Sequence, residues 1–160
     1  MENKKMSMTH GHSNHYRKLL IMAVLSYISM YVLMYAMVDT WGNVIPNINQ
    51  FYMAALMTAS MIVIELAVMG GMYANKKLNA VIIAGSLVVL AGSYICIRQQ
   101  AAVSDREFLK SMIPHHAGAI LMSEKAPSND PEIKTLQAKI IESQRVEIAQ
   151  MKVKLSQLDK

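Results

Sequence analysis

Hydrophobic residues first gather into three long runs and then adopt a periodic pattern. From Leu19 to Val38 there is no charged residue, across a length that crosses a bilayer as a helix of roughly 20 residues. A second apolar run extends from about Phe51 to Tyr73, and a third from about Leu78 to Ile97, ending at Arg98. Beyond Arg98, apolar positions recur every three or four residues, the period of an amphipathic helix. Ser104-Asp105-Arg106-Glu107 has the form of a capping box, with Ser104 as the cap and Glu107 reaching back to it. Phe108, Met112, His115, Ala119 and Met122 then make one stripe, flanked by Leu109, His116 and Ile120. Pro114 interrupts this helix and predicts a kink just before the histidines. Residues 126–131 read as a loop, and Asp130-Pro131-Glu132 starts a second helix with a capping side chain followed by proline. Its apolar face carries Ile133, Leu136, Ile140, Gln144, Ile148, Met151, Leu155 and Leu158. The pattern therefore predicts an all-α chain: a polar tail over residues 1–18, a three-span membrane anchor over 19–98 and an extramembrane helical hairpin over 99–160.

Composition strengthens the membrane reading. Hydrophobic residues make up 53% of the chain and charged ones 17%, too few charges to cover the apolar surface of a soluble domain of this size. No convincing cleavage site follows the first run, so it reads as an uncleaved anchor. Lysine and arginine sort by segment: the N-terminal tail and the Lys76-Lys77 loop are basic, whereas residues 39–50 contain neither. The positive-inside rule then puts the N-terminus and the second loop in the cytoplasm. Three spans carry everything after Arg98 to the far side, which in a bacterium is the periplasmic face of the inner membrane. Trp41, in the first loop, suits the membrane–water interface. The net charge of +5 does not indicate nucleic acid, because the basic residues are scattered and no recognition motif is present. A single cysteine, Cys96, excludes an internal disulfide and a cysteine-rich zinc site.

The candidate chemistry lies in the first amphipathic helix. Met112, His115, His116 and Met122 fall on one side of it by spacing. Imidazole nitrogen with thioether sulfur suits copper, as Cu(I) or Cu(II), better than the oxygen-seeking calcium or magnesium. Alternatively, the methionines fill a core and the histidines are hydrogen-bonded within it. Gln144 and Glu147 lie at or beside the apolar stripe of the second helix, where polar groups need partners. Glu147 could fix the tautomer of a ligand histidine from behind, or be a solvated helix residue. Two further features invite a functional reading: Glu65, an ionisable group inside the second run, and the tail residues Met6, Met8, His10, His12 and His15, a candidate flexible metal clamp.

Taken together, Phe108, Met112-Ile113-Pro114-His115-His116, Gly118-Ala119-Ile120, Met122, Asp130-Pro131-Glu132, Gln144, Glu147-Ile148 and Met151 resemble the bacterial domain of unknown function 305 family. The preceding three-span anchor resembles its membrane-bound branch. The resemblance implies a ferritin-like helical domain linked to copper binding outside the cytoplasm. It also implies ligands at Met112, His115, His116, Met122 and Met151, with Glu147 and Gln144 in support. Longer members carry more helices, and two helices bury little core alone. Two hairpins are therefore expected to pair into a four-helix bundle by homo-oligomerisation.

The functional expectation is a membrane-anchored protein that sequesters copper or passes it to a copper-handling partner. An enzyme of the ferritin-like carboxylate type is not expected, because neither histidine has a glutamate three residues before it. No nucleophile–base pair or phosphate-binding glycine loop is present either. The alternative is a non-catalytic interaction module whose His-His pair is structural or pH-responsive.

Overall fold

The computed structural model describes residues 2–159, with side chains described from Asn14 onward. The chain is all-helical in its described residues: α1 (Glu2–Leu33), α2 (Ile48–Val68), α3 (Lys76–Gln99), α4 (Asp105–Lys125) and α5 (Pro131–Leu158). Two 3-10 turns, Met34–Met37 and Trp41–Asn43, lie between α1 and α2. The expected polar tail is thus the start of α1, although the side chains of Met6, Met8, His10 and His12 lie outside those described. The first helix ends at Leu33, earlier than the uncharged run. The chain divides into two compact units: residues up to Tyr31 with Phe51–Ala101, and Val32–Gln50 with Ala102–Lys160.

Among the described residues three segments are long and apolar enough to cross a membrane, Asn14–Met37, Ile48–Val68 and Lys76–Gln99, and most of their length falls in the first unit. At 21 residues α2 reaches about 31 Å, the thickness of the hydrocarbon layer. Apart from Leu19 and Leu66, the residues these helices bury are small or polar: Ala54, Thr58 and Ala59 on α2, and Asn79, Ser86 and Ser93 at seven-residue intervals on α3. Large side chains such as Leu25, Val68 and Val88 face outward instead. This inversion suits lipid as the solvent, where small residues let helices approach and apolar bulk faces the acyl chains.

A tighter cluster joins the ends of the three helices. Leu19, Leu66 and Tyr73 are buried there, packed by Tyr16, Met22, Ile62, Ile82 and Ile83. The Tyr16 hydroxyl donates to Asn79 Oδ1 at 2.6 Å, and Asn79 Nδ2 donates to the Tyr73 carbonyl at 3.0 Å. Gly70 permits the turn after α2, because a Cβ there would meet the Leu66 carbonyl oxygen at 2.6 Å. Glu65 lies in the last turn of α2. Its Oε1 accepts a hydrogen bond from the Tyr73 hydroxyl at 3.2 Å, which gives the carboxyl a neighbour of the kind such a position requires. Met37, Met57, Met69 and Met72 face largely outward, while Met30 accepts a 3.7 Å hydrogen bond from Thr58.

The second unit is built on the α4–α5 hairpin. Its antiparallel register is marked by Arg106–Asp159 at 2.7 Å near one end and Arg145–Glu124 at 2.7 Å near the other. Ser104 caps α4 by accepting from the Glu107 amide, and Asp130 caps α5 by accepting from the Glu132 and Ile133 amides. The core is Ile113, Ala117 and Ile120 of α4 against Ile148 of α5, with Met151 and Leu155 alongside. Ile113 and Ile120 are the large side chains fully withdrawn from solvent, worth about 1.5–3 kcal/mol each.

The first loop completes this core. Val38 and Ile45 pack against the same cluster. Gly118 lets the loop approach α4 so closely that a Cβ would sit 3.4 Å from the Met37 carbonyl oxygen. The Tyr35 hydroxyl closes the loop on itself through the Ile45 carbonyl at 2.8 Å. Glu107 does not reach back to the cap as the capping-box pattern predicts. Its carboxylate accepts from the Ile48 amide at 3.2 Å and from Lys110 Nζ at 2.9 Å. A tertiary donor at the start of α2 outcompetes the local one. Beside it, Asn49 Nδ2 donates to the Ser111 hydroxyl at 3.2 Å, and that hydroxyl lies 3.3 Å from Asn47 Oδ1. α4 runs unbroken through Pro114, which is buried in the helix.

Two outcomes follow from this packing. Gly118→Ala should be tolerated, because the new methyl meets the loop at ordinary contact distance. Gly118→Leu should cost about 1–3 kcal/mol by overpacking, read as a lower thermal midpoint of the detergent-solubilised protein. Glu107 supplies a pH dependence. The Lys110 hydrogen bond holds its carboxyl below the usual range against the opposing effect of burial, and the Ile48 amide assists. A folded-state pKa below the unfolded value, about 4.3, gives stability that is present at neutral pH and lost as pH falls through the folded value. Glu107→Gln should therefore be less stable by about 1–2 kcal/mol at pH 7. Its deficit should vanish in strong acid, where the wild-type carboxyl is protonated.

Candidate metal centre

The two histidines leave α4 about 100° apart, as consecutive helical residues must. Their ring centroids are 6.1 Å apart and the planes tilt by 59°. His116 turns toward α5: its side chain is 13% exposed, and its Nδ1 lies 3.0 Å from Glu147 Oε2. The carboxylate is within ion-pair distance yet off the line a ring N–H needs, so this buried nitrogen has no hydrogen-bond partner. Burial pushes the His116 imidazole below its ordinary pKa, with Glu147 opposing and His115 adding to the fall. A neutral imidazole with a free ring nitrogen is the form in which histidine ligates a metal.

The remaining sequence-selected residues fall into two groups around the helix. Met151 lies one turn beyond Glu147 on α5 and packs against the Ile113–Ala117–Ile120 core, on the inner side with His116. Gln144 is half-buried one turn before Ile148. His115 and Met122 are exposed and Met112 is half-buried, so the stripe Phe108–Met112–His115–Ala119–Met122 lies mainly on the outer side of α4. The helix instead presents Ile113, Ala117 and Ile120 to α5, and Gly118 to the first loop. The structure thus joins His116 to Glu147 and separates His115 and Met122 from them. Glu65 belongs to the other unit, with Tyr73 as its partner.

Among the described residues, no three His, Cys, Asp or Glu side chains converge as a metal cage. The donor set on this helix is therefore imidazole and thioether, with Glu147 as the carboxylate neighbour of His116. That chemistry fits a soft ion such as Cu(I) and does not fit calcium or magnesium. Sequence reading overlooked the first loop as the third wall of this site. The signal for it was Gly118, a helix-interior glycine beside the histidines, whose missing side chain admits the Met37 backbone.

The family described as a domain of unknown function, DUF305, matches residues 34–155. That range takes in the first loop and the last two spans as well as the hairpin. An uncharacterized protein of Acanthamoeba polyphaga mimivirus is 34% identical over 139 residues, covering 83% of this chain and 88% of that protein. No solved structure matches.

The His116–Glu147 contact yields a direct test. Because the carboxylate raises the His116 pKa against the effect of burial, Glu147→Gln should move its titration to still lower pH. NMR titration of the metal-free protein reads this shift. An unchanged midpoint would mean the carboxylate does not face the ring in solution.

Proposed function

Since the chain belongs to the DUF305 family, a label that assigns no activity, we propose a function from its own side-chain chemistry. It is a membrane-anchored, non-enzymatic copper-binding protein that sequesters the ion or passes it to another copper-handling protein. The observation that carries this reading is the largely buried His116 imidazole, its Nδ1 without a hydrogen-bond partner, on a helix that also bears Met112, His115 and Met122. Met151 adds a thioether from α5. Glu147 places a carboxylate 3.0 Å from His116 Nδ1, and Gln144 offers an amide one turn away.

In this proposal the N-terminus and the Lys76-Lys77 loop lie in the cytoplasm. The hairpin then works on the far face, the periplasmic side in a bacterial inner membrane, where copper is not buffered by cytosolic thiols. The hairpins associate into a four-helix bundle of the ferritin-like kind, since one hairpin buries two large side chains fully. Half-exposed Phe108 and Met122 favour a second reading, an interaction module in which the histidines are structural or pH-responsive.

Copper binding to the full-length protein in detergent, under reducing and oxidising conditions, separates the two. The wild type should bind stoichiometrically, and deletion of the His10/His12/His15 segment should leave that binding intact. His116→Ala and Met112→Ala should each weaken it by tenfold or more, about 1.4 kcal/mol or more, as should His115→Ala. Absence of binding, or binding that disappears with the N-terminal segment alone, would sink the copper reading and leave the interaction module.

A further inference from the structure

The outer face of α4 has a pattern that packing within one chain does not use. Phe108, Met112, His115, Ala119 and Met122 are spaced four, three, four and three residues apart. This alternation generates a continuous seam for a second helix along about four turns. Its members point away from the core: Phe108 and Met122 are about half exposed, His115 is exposed, and Met112 and Ala119 are half-buried. A row of this kind in water invites a partner.

Charge identifies that partner. Between Glu107 and Glu124, α4 carries one charged residue, Lys110, and this is tied to Glu107 at 2.9 Å. The seam itself is neutral from Phe108 to Met122. A twofold axis brings a surface against its own copy, so a self-pairing face has to avoid placing like charges together. The outer face of α4 meets that condition. On α5 Val146 and Val153 are also exposed, but Lys139, Glu142, Arg145, Lys152 and Lys154 crowd around them, as expected of a solvated face. Anchored copies share one bilayer and one orientation, so their hairpins meet at high effective concentration.

We infer that the outer stripe of α4 is the seam between two copies of this chain, closing a bundle of two hairpins with His115 in the middle of the interface. The inference names the face behind the association proposed above, and it stands without metal, because apolar contact and neutrality carry it. If the helices pair parallel, His115 meets His115 of the second copy. If they pair antiparallel, it meets a neighbouring layer, Met112 or Ala119. In the parallel arrangement each chain supplies one half of an imidazole–thioether set.

Cysteine crosslinking in native membranes treated with chelator tests the seam apart from copper binding. In a Cys96→Ser background, Ala119→Cys should crosslink to a dimer with a short bismaleimide, whereas Ala149→Cys on the outer face of α5 should not. Adding Met122→Glu should reduce the crosslinked fraction several-fold by burying like charge on the axis. Dimers through Ala149→Cys but not Ala119→Cys would move the interface to α5 and overturn the inference. So would an Ala119→Cys that stays monomeric, whether it is labelled by a water-soluble maleimide or shielded from it by lipid. Crosslinking without copper binding would uphold the seam and remove the metal reading. Copper binding by a protein that fails to crosslink would do the reverse.

Discussion

A two-helix hairpin has one buried face, and that geometric limit shapes the whole extramembrane unit. Ile113, Ala117 and Ile120 find Ile148 across the hairpin, but the flank of α4 marked by Pro114 and Gly118 would be open without further cover. The loop after the first span supplies it. Met37 lies against Gly118, Val38 and Ile45 join the core, and Glu107, Ser111, Asn47 and Asn49 stitch the loop to α4 with polar contacts. This third wall leaves α4 with one free face, the outer one. The distribution of histidines between the inner and outer sides is a consequence of that arrangement.

The two units solve opposite solvation problems with the same helical backbone. In the spans, Asn79, Ser86 and Ser93 turn inward and the large aliphatic chains turn out, because lipid gives no hydrophobic reason to hide them. In the hairpin, Ile113 and Ile120 turn in and the charges of α5 turn out, because water does. His116 and Glu147 stand at the boundary of the second regime. Burial lowers the pKa of the imidazole while the half-exposed carboxylate keeps contact with solvent.

Much of the architecture was legible from residue patterns. The apolar runs foretold three helices long and apolar enough to cross a membrane, and Ser104 and Asp130 marked the true starts of α4 and α5. The pairing of Glu147 with a histidine followed from a polar group beside an apolar stripe. The pattern picked out one stripe of α4, Phe108–Met112–His115–Ala119–Met122, whereas the structure packs the helix's other apolar face inward. Phe108, Met112 and Met122 form a regular row, and Ile113, Ala117 and Ile120 form another. Periodicity is compatible with both and ranks neither. The choice is made by side chains distant in sequence, Ile148 and the first loop. Glu107 shows the same principle at one residue, since a local cap was available and the Ile48 amide took the carboxylate instead.

The contact between Gly118 and Met37 also has a consequence for biogenesis. The first loop emerges early in synthesis, yet the helix that covers Val38 and Ile45 follows only after two further spans. During that interval the loop lacks its apolar cover, and Asn47 lacks the Ser111 hydroxyl it will meet. The chain therefore passes through a stage in which its membrane segments are made but the loop between the first two is unfinished. Until α4 and α5 are made, Val38, Ile45 and the Met37 backbone have no partner, so a chain that stops short of Asp105 would leave this loop uncovered.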